Sequence, residues 1–65
     1  MPPKINDIVR LLEAFPDETL EEGALGVIVA EFSKPNEAYE IEFSDENGAT
    51  IAQVALKPSQ FSVVT

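Results

Sequence analysis

Apolar and polar side chains alternate along much of the second half of the chain, and this alternation predicts strands. Residues 39–43 read Tyr-Glu-Ile-Glu-Phe, so three apolar side chains share one face of an extended segment and two glutamates share the other. In residues 50–56, Ala52, Val54 and Leu56 share a face in the same way. Between these runs lies Asn47-Gly48, the strongest short hairpin signal, which predicts a type I′ turn. The two runs therefore predict a β-hairpin.

Two further segments have the composition of strands. Residues 27–32 are rich in β-branched side chains and lie between Gly26 and Pro35, and the continuous apolar run predicts a strand covered on both faces. Residues 61–64 predict a short last strand after a turn at residues 57–60. Gly26, at the entry to the earlier strand, and Gly23 just before it are expected to supply positive φ or a close backbone approach.

The first apolar segment fits two secondary structures. Ile5, Ile8 and Leu12 lie at helical spacing, and periodicity alone slightly favours a helix over residues 5–14. As a strand, the same segment places Val9 and Leu11 on one face. We expect the strand, because four β segments with an open edge require a fifth to cover it.

These elements predict an all-β fold in a single domain over residues 1–65, a small five-stranded antiparallel barrel of the SH3-like type. The first two strands are separated by a long acidic loop over residues 16–26, which is expected to be too polar to contribute to the core. The interior is expected to hold Tyr39, Ile41 and Phe43, with the Tyr39 hydroxyl bonded to a partner at the rim.

Most of the chain resembles a known family. The relevant features are Gly23-Ala24-Leu25-Gly26 followed by aliphatic residues, and Ala38–Phe43 running into Asp45–Gly48. These features are similar to those of an uncharacterised bacterial family of short acidic domains, known as domain of unknown function four-nine-two-six. The resemblance implies a fold but no reaction, and because such families often lie beside toxin-like proteins it also implies an antitoxin or immunity role. More distantly, the chain resembles SH3-like barrels of the nitrile hydratase β-subunit type and small electron-transport accessory subunits.

Composition excludes several kinds of function. The 65 residues include no cysteine and no histidine, so this chain alone cannot form a disulfide, a thiolate nucleophile, a zinc site or an imidazole base. Twelve acidic residues against four basic ones give a net charge of -8, which argues against binding nucleic acid through phosphates. No stretch has the length of a signal peptide or a membrane span, so we expect a cytoplasmic protein that binds no membrane and no cofactor.

Two carboxylate groupings could in principle carry chemistry. Glu40 and Glu42 are roughly 7 Å apart along a strand, a separation found in inverting glycosidases. A chain of this size offers no enclosing cleft, so we interpret them as a solvated strand face and the protein as not an enzyme. The run Asp45–Gly48 lacks the spacing of a calcium loop and is explained by the predicted turn.

The densest charge cluster predicts a binding site for a basic protein. It contains no basic residue, and its members are Glu13, Asp17, Glu18, Glu21 and Glu22. Such a cluster can simply keep a loop solvated, or it can speed and direct association with a positively charged partner. The first hypothesis is therefore a non-catalytic protein-binding module, of which an antitoxin or immunity protein is one form. The alternative is a structural or accessory subunit of a larger enzyme complex.

Overall fold

The computed structural model describes residues 2–65, which form five antiparallel strands in one sheet. The strands are β1 (Ile8–Leu11), β2 (Leu25–Phe32), β3 (Ala38–Ser44), β4 (Thr50–Leu56) and β5 (Phe61–Val63). Short 3-10 turns at Pro16–Glu18 and Pro58–Gln60 precede β2 and β5. The order across the sheet is β4-β3-β2-β1-β5, so the last strand returns to pair with the first. The all-β prediction with five antiparallel strands is confirmed.

The first apolar segment is a strand, as expected, and not a helix. Val9 and Leu11 are buried while Ile8 and Arg10 are exposed, which is the alternation that the strand interpretation requires. β1 pairs with β2 on one side and β5 on the other, with Val9 opposite both Gly26 and Val63. Tertiary pairing on both edges therefore decides a segment whose periodicity was ambiguous.

One face of the sheet carries the core. The buried residues alternate along the strands because every second side chain points to the same face. They are Val9, Leu11, Leu20, Ile28, Tyr39, Ile41, Phe43, Leu56 and Phe61. The predicted interior positions Tyr39, Ile41 and Phe43 are all among them.

Gly23, which precedes β2, and Gly26, which lies within it, have different physical roles. Gly23 has a φ of +90°, a conformation that side-chain-bearing residues rarely adopt. Gly26 has no such conformation, but a β-carbon there would lie 2.7 Å from Cγ2 of Ile41 and 2.9 Å from ring atoms of Phe43. Gly23 thus supplies the expected positive φ, and Gly26 supplies the expected close approach of the backbone.

The hairpin between β3 and β4 is confirmed, but the type I′ turn is wrong. The Gly48 N–H donates to the Asp45 carbonyl at 3.0 Å, so Glu46 and Asn47 are the central residues. Gly48 has a φ of +85°, whereas Asn47 is not in the positive-φ region that a type I′ turn centred on Asn47-Gly48 requires. The Asp45 N–H donates to the Ala49 carbonyl at 2.9 Å, which gives a longer turn with a bulge at Gly48. The Asp45 carboxylate selects this turn by accepting bonds from the N–H groups of Asn47 (2.8 Å) and Ala49 (3.0 Å).

Two expectations about the sheet are not confirmed: that β2 is covered on both faces, and that the sheet closes into a barrel. Residues 27–32 are expected to be covered on both faces, but Val27 and Val29 are 37% and 40% exposed. Within the same residues, β4 and β5 form the two edges of the sheet and do not pair with each other. The architecture is therefore a single five-stranded antiparallel sheet with open edges.

Candidate partner-binding site

The acidic segment, defined as residues 12–24 between β1 and β2, has more internal structure than its composition suggests. The N–H groups of Phe15 and Leu20 each donate to the other residue's carbonyl, at 2.8 and 3.1 Å. The 3-10 turn between them ends at Thr19, whose φ of +56° reverses the chain. This reversal places Leu20 in the core, where it is 4% exposed, with Phe15 packed against the same cluster. The prediction that this loop contributes nothing to the core is therefore wrong.

Both ends of the acidic segment are attached to the sheet. The Leu11 N–H donates to the Ala24 carbonyl and the Gly23 N–H donates to the Leu11 carbonyl, each at 2.9 Å. The Leu12 N–H donates to the Gln60 carbonyl at 3.0 Å. Together with the buried Leu20, these bonds hold the segment on the domain at its ends and near its middle.

All five predicted binding residues lie on this segment with exposed side chains: Glu13, Asp17, Glu18, Glu21 and Glu22. Asp17 and Glu18 belong to the 3-10 turn, while Glu21 and Glu22 come between the buried Leu20 and the tight bend at Gly23. Glu13 accepts a hydrogen bond from the Gln60 side chain at 3.3 Å. The arrangement presents negative charge to solvent.

Glu40 and Glu42 lie on the face of β3 opposite the core and are half-buried. Each accepts a hydrogen bond from a side chain of β4: Glu40 from Gln53 at 3.1 Å, and Glu42 from Thr50 at 3.4 Å. Cross-strand pairing to an amide and a hydroxyl accounts for both glutamates as parts of a sheet surface.

The Tyr39 hydroxyl has a partner at the rim, as predicted. It donates to the Glu37 carboxylate at 2.6 Å. That hydrogen bond raises the pKa of Tyr39 to about 12, and burial and the negative charges of Glu37 and Glu31 act in the same direction. The phenol is therefore held protonated and does not supply a base at neutral pH. It borders an open groove of about 580 Å³ whose other lining residues include Pro3, Lys4 and Phe32.

An apolar surface that sequence reasoning missed lies on the face opposite the core. Ile8 of β1 pairs with Val27 of β2, and Leu25 lies two residues away on the same face; these three form what we call the outer apolar face. They are 38%, 37% and 51% exposed. The alternation of Leu25, Val27 and Val29 with Gly26 and Ile28 is the signal that could have identified it. Of the three, Val27 belongs to a run that the sequence predicts to be covered on both faces.

Metal-binding groups and membrane-spanning helices are both absent from the part of the chain that the structure describes. Residues 2–65 contain no group of three or more acidic, histidine or cysteine side chains placed to hold a metal ion. The same residues form no helix that is long and apolar enough to cross a membrane.

A known family model matches most of the chain. The family model described as Domain of unknown function (DUF4926) matches residues 5–63, and the chain belongs to this family. No curated protein and no solved structure matches the chain significantly. The match spans all five strands and the acidic segment, so both are within the family's domain.

Proposed function

We propose that this member of the DUF4926 family is a non-catalytic protein-binding module whose acidic segment docks onto a basic protein. The observation that carries the proposal is the anchoring of that segment: five exposed carboxylates lie on a stretch held by the buried Leu20 and by backbone bonds to β1. A surface held in one conformation before binding loses less conformational entropy in the complex than a mobile loop does. The net charge of -8 favours association with positively charged partners at long range.

The negative charge of the acidic segment indicates a partner with a positively charged surface. A basic enzyme whose own substrate is anionic, such as a nuclease toxin, would present a positive surface of the kind this segment complements. An antitoxin or immunity protein is therefore the form of binding module that we propose. This assignment depends on electrostatic complementarity and on the family resemblance, and it requires no catalytic group on the domain.

We also propose that the sheet curls into an SH3-like barrel. Support comes from the strand order β4-β3-β2-β1-β5, with a 3-10 turn leading into the last strand. The ring of Phe61 on β5 lies 5.7 Å from that of Tyr39 on β3, edge to face, although two strands separate them in the sheet. A contact between side chains on strands that two others separate supports a sheet that curls toward itself.

The binding proposal is tested with three baits: the wild type and two variants that have equal net charge and differ in which carboxylates they lack. Wild type is compared with Glu21→Gln/Glu22→Gln, which neutralises part of the acidic segment, and with Glu31→Gln/Glu46→Gln, which removes the same charge from other exposed sites. Bound proteins are captured from native lysate and quantified by mass spectrometry at low and high salt. We expect a basic protein to be retained by wild type and the control pair and lost from the acidic-segment pair. Equal capture by all three baits would contradict the proposal.

An accessory subunit of a larger complex is the second candidate, and the outer apolar face favours it. Subunits of permanent assemblies expose apolar surface that their partners cover. In that case Leu25→Ser/Val27→Thr should abolish capture while Glu21→Gln/Glu22→Gln should leave it intact. The opposite pattern would support acidic docking.

A further inference from the structure

The outer edge of β4 is unusually open. Within residues 2–65, β4 pairs only with β3, and its seven residues, Thr50–Leu56, include no charged side chain and no proline. Natural edge strands are commonly protected from pairing by charges, proline or short length. The opposite edge follows that rule, because β5 has only three residues. β4 is therefore the edge that can accept an added strand.

The hydrogen bonds across the sheet determine which groups of β4 face outward. The Ile28 N–H donates to the Asp7 carbonyl, so Ile28 directs its backbone groups toward β1, and its neighbour Val27 directs them toward β3. Val27 pairs with Glu42 in β3, so the backbone N–H and carbonyl of Glu42 point toward β2.

The same alternation continues into the edge strand. Because the backbone groups of Glu42 face β2, those of its neighbour Ile41 face β4 and bond with Val54. The residues on either side of Val54 then turn their N–H and carbonyl groups to the open edge. Gln53 and Ala55 thus offer the hydrogen bonds that an incoming strand would use.

The two faces beside this edge have different chemistry. On the core face, Ala52 and Val54 are only half-buried, so an added strand could extend the apolar layer over them. On the opposite face, Gln53 lies beside Glu42 and donates to Glu40. An incoming strand would lie roughly 10 Å from β3, two strand spacings, within reach of long basic side chains directed at these glutamates.

We propose that β4 accepts, by β-augmentation, a strand from another polypeptide in which apolar and basic residues alternate. The apolar residues would cover Ala52 and Val54, and the basic residues would face Glu40 and Glu42. Main-chain bonds to Gln53 and Ala55 supply affinity, and the alternation supplies specificity. A second copy of this chain is the less suitable occupant, because each copy carries a net charge of -8. This inference concerns a surface separate from the acidic segment and does not depend on it.

The test uses an octapeptide of alternating valine and arginine, blocked at both ends. Its control is a peptide of the same composition with four valines followed by four arginines. Amide hydrogen exchange of the isotope-labelled protein is followed by NMR during titration. We expect the alternating peptide to protect the Gln53 and Ala55 amides, which are open to solvent in the free protein, and the block peptide to protect neither. Equal protection by both peptides, absence of binding, or protection confined to residues 12–24 would overturn the proposal.

Two pairs of variants separate edge pairing from nonspecific attraction. N-methylation of Ala55 in the synthetic chain blocks an edge amide and should weaken binding roughly tenfold. N-methylation of Val63, whose amide faces away from β1 on the opposite edge, should have no effect. Glu40→Gln/Glu42→Gln should weaken binding about threefold, whereas Glu31→Gln/Glu46→Gln, which removes the same charge elsewhere, should change it less. Equal effects within either pair, or a complex containing two copies of the chain at sedimentation equilibrium, would overturn the proposal.

Discussion

Replacing Gly26 with alanine should destabilise the fold, because the interior leaves no room for a β-carbon at that position. The added carbon would lie 2.7 Å from Cγ2 of Ile41 and 2.9 Å from both Cδ1 and Cε1 of Phe43. Those two side chains are 0% and 1% exposed and are enclosed by the rest of the core, so neither can move away freely. Gly26 itself pairs directly with Phe43 across the β2–β3 ladder, which restricts adjustment of the backbone.

The expected loss follows from two opposing terms. Forcing an extra carbon into a close-packed interior costs about 1–3 kcal/mol. Losing the conformational freedom that glycine gives the unfolded chain offsets roughly 0.5–1 kcal/mol of that cost. The net destabilisation should be about 1–2 kcal/mol, a large share of the roughly 3–10 kcal/mol that a domain of this size possesses. With a urea dependence of about 1 kcal/mol per molar, the unfolding midpoint should fall by about 1–2 M.

Urea unfolding of a double-mutant cycle tests the proposed cause. Ile41→Ala removes the Cγ2 atom that the new β-carbon would meet, so it should reduce the penalty of Gly26→Ala. Ile41→Val keeps both γ carbons and should leave that penalty unchanged. Gly23→Ala is the control, since its cost arises from the +90° φ in open space and should be the same in every Ile41 background. The steric argument fails if Gly26→Ala is neutral, or if Ile41→Ala leaves its penalty undiminished.

Four further measurements test the roles assigned to Leu20, Tyr39, Asp45 and the net charge. Leu20→Ala should lower the free energy of unfolding by about 2–5 kcal/mol in urea titrations, because Leu20 is a core residue; a loss below about 0.5 kcal/mol would indicate a solvated loop. The pKa of Tyr39 rises from 10.0 in the unfolded chain to about 12 in the fold, so its contribution to stability should be complete below pH 10 and disappear as the pH rises through 12. Tyr39→Phe should remove that component, and an unchanged pH profile of urea unfolding would contradict the assignment. Asp45→Ala should cost about 1–2 kcal/mol, measured by thermal unfolding, because the N–H groups of Asn47 and Ala49 lose their acceptor, while Asp45→Asn should retain most of the stability; equal losses would exclude this role. Added salt should raise the melting temperature, since it screens the repulsion within a net charge of -8, and a melting temperature indifferent to salt would refute this.

The features that the sequence determined on its own are those set by neighbouring residues. Alternation placed Tyr39, Ile41 and Phe43 on the core face, because successive side chains of any strand point to opposite sides. The hairpin after β3 was equally evident from Asn47-Gly48. The turn type was not, because the Asp45 side chain bonds to the backbone of the turn and favours a longer loop.

Only the tertiary structure decided what covers each face. Leu20 lies in an acidic stretch, and it enters the core because the chain reverses at Thr19 and returns it to the sheet. Leu25 and Val27 are apolar, yet they remain 51% and 37% exposed on the face opposite the core. Burial depends on the position of distant segments, and local patterns of hydrophobicity do not contain that information. The same reason explains why the charge of the acidic segment was evident from the sequence, whereas its anchoring and the open edge of β4 were not.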